Sequence, residues 1–319
     1  MKRVMGMASH CNYKGSFHYV SKDTYSWIRN QAYVKEESIT DRILYELNSN
    51  NPHIICHEFK RNEEALNGAD WEWWLLFDDP FETHGFYKDT QSLSNTAAYR
   101  FRIQAKKLLA DNKDKNYVFR YANKNDFQIK LLIERAKEER AIPLYAFFSD
   151  ASRESKEVSI NLDGKEFLIN NVCSDCINGI YLLSATWAYD NHFKAIDHKS
   201  TSQDIVNESF PASILDFIVA SVHPDYYYCL HDNHESLYHK KINLNQIQRA
   251  LSYTSYMYKH GEFPKYLSTL ISQLDYRNES EESTSFYQDQ IEYVEPEDVC
   301  GVGLIDCRRE IKRENFRNW

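Results

Sequence analysis

Two stretches decide the fold: residues 70–77, DWEWWLLF, entered through Gly68-Ala69, and residues 99–108, YRFRIQAKKL. Each carries aromatic and apolar residues in a run of strand length, so each is read as a strand, Asp70–Phe77 and Tyr99–Ala105. Side chains alternate along a strand. Asp70 and Glu72 therefore share one face of the first strand, and Gln104 and Lys106 share one face of the sequence that ends the second. If the two strands pair as a hairpin, an acid, an amide and an ammonium can meet on one sheet surface. Carboxylate and amide oxygens suit a hard cation such as Mg²⁺ or Mn²⁺. A lysine beside them can orient a water or offset developing negative charge.

Working outward, Ser38-x-x-Asp41 has capping-box character, and Ile39, Ile43, Leu44 and Leu47 follow at helical spacing. The pattern predicts a first helix near Ser38 and a first strand over His53–Lys60. The two deciding strands would complete a three-stranded meander, with the polar stretch Asp78–Asn95 as its hairpin loop. A helix over Phe127–Arg140 leads into Ile142–Phe148, a strand apolar enough to be buried on both faces. Helix, three strands, helix, strand implies an α/β fold with a mixed sheet between helices. Farther on, Cys176–Ala188 and Ile242–Lys259 read as helices, and Asp225–Leu230 and Gly301–Cys307 as strands. Residues 1–150 form the expected core and 151–319 a C-terminal α+β elaboration on the same body.

Composition removes several classes. The 319 residues carry 38 Lys+Arg against 47 Asp+Glu, a net charge of −9, which argues against coating nucleic acid by bulk electrostatics. With 17 Phe, 23 Tyr and 6 Trp the chain has the apolar surface that disordered chains lack. No apolar run approaches the roughly 20 residues of a membrane span, and Met1–Gly15 has no signal-peptide core, so a cytoplasmic protein is expected. Seven scattered cysteines do not suggest a disulfide framework. Cys173-x-x-Cys176 could be half a zinc site with Cys229, His231 and His234, or buried reduced thiols.

GADWEWW, then RIQAKKL, then Gln128 on a helix and Pro143-Leu144-Tyr145 on a strand, resembles the active-site signature of the PD-(D/E)xK phosphodiesterase superfamily, that is, of restriction-endonuclease-like nucleases. The nearest pattern is the Mrr-like variant, where Gln replaces the second acid; it is similar to a bacterial family found in phage-defence settings. The resemblance implies that Asp70 and Gln104 bind Mg²⁺ or Mn²⁺ and that Lys106 serves the nucleophile or the transition state. An acid of the first helix would join them: Glu37 fits the spacing, with Glu36 as close competitor. It further implies a metal-dependent endonuclease acting on DNA, with RNA left open, in antiviral defence or restriction, and a homodimer or a companion defence protein as partner. The alternative is a nuclease-fold binding or sensor module that has lost turnover. The pattern departs from the superfamily in having Ala69 where Pro is usual and in the long gap from Asp70 to Gln104.

Other residues keep two readings each. Glu72 is a further ligand or an edge residue, and Gln128 positions a ligand or merely its helix. His57, Glu58 and Glu64 could approach the site or lie at the surface. Trp71 and Trp73, opposite Asp70, are expected to pack under a helix, while Trp74 shares the face of Asp70 and could wall the site. Lys107, Lys113, Lys115, Arg120, Lys124, Lys130 and Arg135 form either a DNA-backbone groove or a solvated face interleaved with Glu134, Glu138 and Glu139.

Overall fold

A computed structural model of the chain describes residues 16–58, 69–78, 96–109, 119, 127–151, 158–162, 165–169, 178–194, 200–220, 256–279, 299 and 301–308. Two helices come first, α1 (Ser16–Asn30) and α2 (Glu36–Asn50), followed by the strands β1 (Ile54–Glu58), β2 (Trp71–Asp78) and β3 (Thr96–Leu108). Helix α3 (Gln128–Glu138) crosses to β4 (Ile142–Ser149). A separate two-stranded ribbon pairs β5 (Val158–Leu162) with β6 (Lys165–Ile169). Then come β7 (Ile180–Ser184), α4 (Ala185–Ala188) running into a π-turn over Tyr189–Phe193, α5 (Ser202–Glu208), β8 (Phe210–Pro211) and α6 (Ile214–Ala220). Among the described residues the chain finishes with β9 (Tyr258–Lys259), α7 (Lys265–Glu279) and β10 (Gly301–Asp306).

The sheet has eight strands in the order β1-β10-β2-β3-β4-β7-β8, with β9 pairing β3. Strands β2 and β3 are antiparallel, with Trp71 opposite Ile103 and Glu72 opposite Arg102. Strands β3 and β4 are parallel, as a helical crossover requires, with Gln104 opposite Tyr145. This is the expected α/β fold with a mixed sheet between helices. Residues pointing to one face (Trp71, Trp73, Tyr99, Phe101, Ile103) pack with Phe17, Ile28, Ile39, Ile43 and Leu47 of α1 and α2. Residues pointing to the other (Trp74, Leu76, Ala98, Tyr145, Phe147) pack with Ile129 and Leu132 of α3 and Leu267 and Leu270 of α7. Trp71 and Trp73 thus pack under helices, as their position opposite Asp70 suggested.

The meander is corrected: β10 inserts between β1 and β2, antiparallel to the first and parallel to the second. Gly301 and Gly303 stand opposite Trp71 and Trp73, and a Cβ at 303 would lie 2.6 Å from Trp73 Cδ1. Glycine there makes room for the indole. The sheet therefore draws strands from both sides of residue 150.

Three local expectations also change. Helix α1 precedes the expected first helix, and α2 begins at Glu36 with Lys35 at its N-cap and no side-chain cap, rather than at a Ser38 capping box. Residues 180–188 are a strand followed by one helical turn, not one helix, because the apolar run pairs with β4 and Ser184 Oγ then accepts from the Trp187 amide at 3.3 Å. Tyr258–Lys259 is strand where a helix was expected, while 242–255 and Asp225–Leu230 lie outside the described residues. Among the described residues no helix is long and apolar enough to cross a membrane.

Candidate functional site

Asp70 stands immediately before β2, and its amide donates to Ile103 O at 2.8 Å, which carries the β2–β3 ladder one residue farther. That pairing sets Asp70 beside Gln104 on the face shared with Tyr145. Gln104 Nε2 donates to Asp70 Oδ2 at 2.6 Å, and the Ala105 amide donates to the same oxygen at 2.6 Å. From the other side of the sheet, α2 delivers Glu36 past the strand end. Glu36 Oε1 accepts from the Lys107 amide at 2.7 Å, and Glu36 Oε2 lies 3.8 Å from Lys106 Nζ. Lys107 Nζ donates to Ala32 O at 2.9 Å and Val34 O at 2.6 Å, so this lysine fixes the turn that leads into α2.

Burial pushes the Asp70 carboxyl up to about 6, against the opposing pull of Lys106 and of the Ala105 and Gln104 donors, and Glu36 adds to the rise. Two carboxylates close enough to disfavour one another are a place where a divalent cation is stabilised. Gln104 Oε1 is buried and has no hydrogen-bond partner among the described residues. A carboxylate pair and an unpartnered amide oxygen fit a hard cation by donor chemistry. Asp70, Gln104 and Glu36 are the residues that would hold it. Among the described residues no group of three or more His, Cys, Asp or Glu side chains is gathered.

Asp70, Gln104 and Lys106 are brought together as the strand alternation implied. The helix acid is corrected: Glu36 reaches the site, while Glu37, one residue on and turned by about 100°, is exposed. Glu72 is corrected as a ligand. Its Oε1 accepts from Trp74 Nε1 at 2.9 Å and from the Tyr266 hydroxyl, and its Oε2 is bound by Arg100 at 2.6 and 2.7 Å. It is fully buried and both oxygens are committed, Oε1 tying Tyr266 of α7 to the sheet and Oε2 pairing with Arg100 of β3. Trp74 belongs to the same packing, edge-on to Tyr258 at 5.1 Å and Tyr266 at 6.5 Å, so it is core and not a wall of the site.

Gln128 opens α3 over the site face, and its Oε1 is likewise buried without a partner among the described residues. His57 is half-buried on β1 and Glu58 is exposed. Of the basic residues, Lys107 is tied to backbone oxygens, Lys130 lies over the Phe127 ring at 5.5 Å, and Arg135 pairs with Glu138 at 2.9 Å. Glu64, Lys113, Lys115, Arg120, Lys124, Cys173, Cys176, Cys229, His231 and His234 lie outside the described residues. Sequence reasoning gave no role to Tyr145, which stands opposite Gln104 on β4 and whose hydroxyl is buried without a partner among the described residues. The signal was its face: counting in twos along β4 sets 145 level with Gln104.

No curated protein and no solved structure gave a significant match to the chain. One family model does match, over residues 14–216, a span that contains Glu36, Asp70, Gln104, Lys106, Gln128 and Tyr145. The chain belongs to DUF6615, a family of unknown function.

Proposed function

We propose that the protein is a metal-dependent nuclease that hydrolyses phosphodiester bonds of DNA. One observation carries the reading: Asp70, Gln104, Lys106 and Glu36 meet at one end of the β2–β3 pair, with the amide oxygen of Gln104 left without a partner among the described residues. What supports a restriction-endonuclease-like core is the order of its parts: helix, antiparallel β2–β3, and α3 crossing to a parallel β4. The setting in cytoplasmic antiviral defence or restriction, and a homodimer or companion protein as partner, come from the resemblance alone.

A bound Mg²⁺ or Mn²⁺ would supply Lewis acidity at the scissile phosphate. Asp70, Gln104 and Glu36 give oxygens from three different elements, which fixes where that charge sits. Lys106, 3.8 Å from Glu36, carries the ammonium that orients the attacking water or offsets charge on the phosphate oxygens. The Ala105 amide holds the Asp70 carboxylate in place.

Incubation with plasmid and linear duplex in Mg²⁺ or Mn²⁺, beside Asp70→Ala and Lys106→Ala, tests the reading. Wild type should cleave, and each variant should lose activity by about 100-fold or more. Equal cleavage by all three would identify a contaminant and overturn the assignment. A second reading, a nuclease-fold binding module without turnover, is favoured by the neutral amide of Gln104 where a second acid would strengthen metal binding. It predicts DNA retention in a gel shift that Lys106→Ala weakens, with no product from any form of the protein.

A further inference from the structure

Tyr33 is 98 % exposed, the most open large aromatic side chain among the described residues. Its ring adds nothing to the core. Single exposed aromatics are ordinary on protein surfaces, so it is the place of this one that sets it apart. It lies in the turn between α1 and α2, and that turn is fixed. Lys107 Nζ donates to the carbonyls on both sides of Tyr33, Ala32 O at 2.9 Å and Val34 O at 2.6 Å, and the Val34 amide donates to Gln31 O at 3.0 Å. The backbone amide of the same Lys107 donates to Glu36 Oε1 at 2.7 Å. One lysine thus joins the tyrosine's turn to the candidate site. Tyr33 and Glu36 are three trans peptide bonds apart, so their Cα atoms lie within about 11 Å of each other.

The ring therefore stands on a rigid lip of the site, open to whatever enters from solvent. Arg29 and Lys35 are exposed on either side of it in the chain, against one exposed acid of this stretch, Glu37. A strand of nucleic acid brings phosphates and aromatic base faces together, and an aromatic side chain stacks on any base because every base has a π-face. Inside a continuous duplex both faces of a base are covered by its neighbours. An exposed ring finds its partner in an unpaired base.

We propose that Tyr33 stacks on an unpaired base of the DNA strand whose phosphate lies at the candidate site, with Arg29 and Lys35 toward the flanking phosphates. The substrate class is then single-stranded or locally unpaired DNA. Duplex is attacked where its ends fray or supercoiling opens it. The proposal rests on the nuclease reading of the same site.

Fluorescence anisotropy of a labelled oligothymidylate tests it on the full chain, in Ca²⁺ and separately in chelator, beside a duplex of the same length. Tyr33→Ala should bind the single strand about fivefold or more weakly, and Tyr33→Trp should restore binding. Tyr45→Ala is the control: this tyrosine is 67 % exposed but stands roughly 14 Å along α2 from Glu36, and its loss should change nothing. Neither alanine variant should shift the melting temperature. Wild-type affinity in Tyr33→Ala, an equal loss for duplex, or an equal loss in Tyr45→Ala would overturn the proposal, as would a wild type that binds no oligothymidylate in either condition. Cleavage of single strands in Mn²⁺ by wild type and Tyr33→Ala alike, with equal affinity, sinks only the role of Tyr33. Binding that depends on Tyr33, with no product in Mn²⁺, supports the stacking contact and sinks the nuclease reading.

Discussion

Asp70 and Glu72 are two residues apart on one face, yet their surroundings assign them opposite work. Glu72 is neutralised by Arg100 and fully bonded, whereas the desolvation of Asp70 outweighs the charge of Lys106, the Ala105 N–H and the Gln104 amide, and its carboxyl rises to about 6. Because that folded value exceeds the usual 3.8, the metal-free fold holds the proton more tightly than the unfolded chain does. This contribution to stability is complete below about pH 4 and disappears as the pH rises through about 6. In chelator, Asp70→Asn should therefore be more stable than wild type at pH 8, on the order of 2–3 kcal/mol. The difference should vanish near pH 4 in urea melts across that range. A constant difference at every pH would show that Asp70 is not strained by burial. Glu72→Ala takes from Arg100 its fully buried partner and leaves it Glu139 at 2.8 Å, so a loss of about 3 kcal/mol, the lower end for a broken buried pair, is expected. A well-folded Glu72→Ala that binds Mn²⁺ poorly would instead return Glu72 to the ligand set.

At the scale of elements, what was legible in the sequence is what short-range pattern encodes. The aromatic strands β2 and β3, the amphipathic α3 and the apolar β4 all carry their signal within their own residues, and with them came the convergence of Asp70, Gln104 and Lys106. Helix α1 was not legible, because its buried face includes Ser21 and Thr24 and its start is held from afar. Asp216 Oδ1 and Oδ2 accept from the Phe17 and His18 amides across 199 and 198 residues. Ser21 Oγ takes the Gly179 and Ile180 amides at 2.9 and 3.0 Å, which joins α1 to the start of β7. No local motif encodes such bonds. The choice of Glu37 over Glu36 failed for a related reason: a helix start one turn earlier than the apparent cap rotates which acid faces the strands. At Gly179 a Cβ would lie 2.3 Å from the Tyr25 amide nitrogen and 2.6 Å from Ser21 O, both backbone. Gly179→Ala must push α1 off the sheet, and a loss of roughly 1–3 kcal/mol in chemical denaturation is expected. A neutral substitution would mean that α1 does not dock there.

For the whole molecule, a net charge of −9 leaves little general attraction for nucleic acid, so the proposed nuclease would have to recognise its substrate at the site itself. Helix α2 and strands β2, β3 and β4 gather that site, and β10 flanks it within the sheet, paired with β2 beside its tryptophans. Distant parts of the chain thus make one rigid support, and a donor set held on strands is what a metal centre needs for fixed geometry. The most direct measurement is a crystal soaked in Mn²⁺ with data collected at the manganese absorption edge. An anomalous peak bonded to Asp70 and to Gln104 Oε1, with Glu36 beside it, is the expected result. No anomalous peak at Asp70 and Gln104 at saturating manganese would contradict the account.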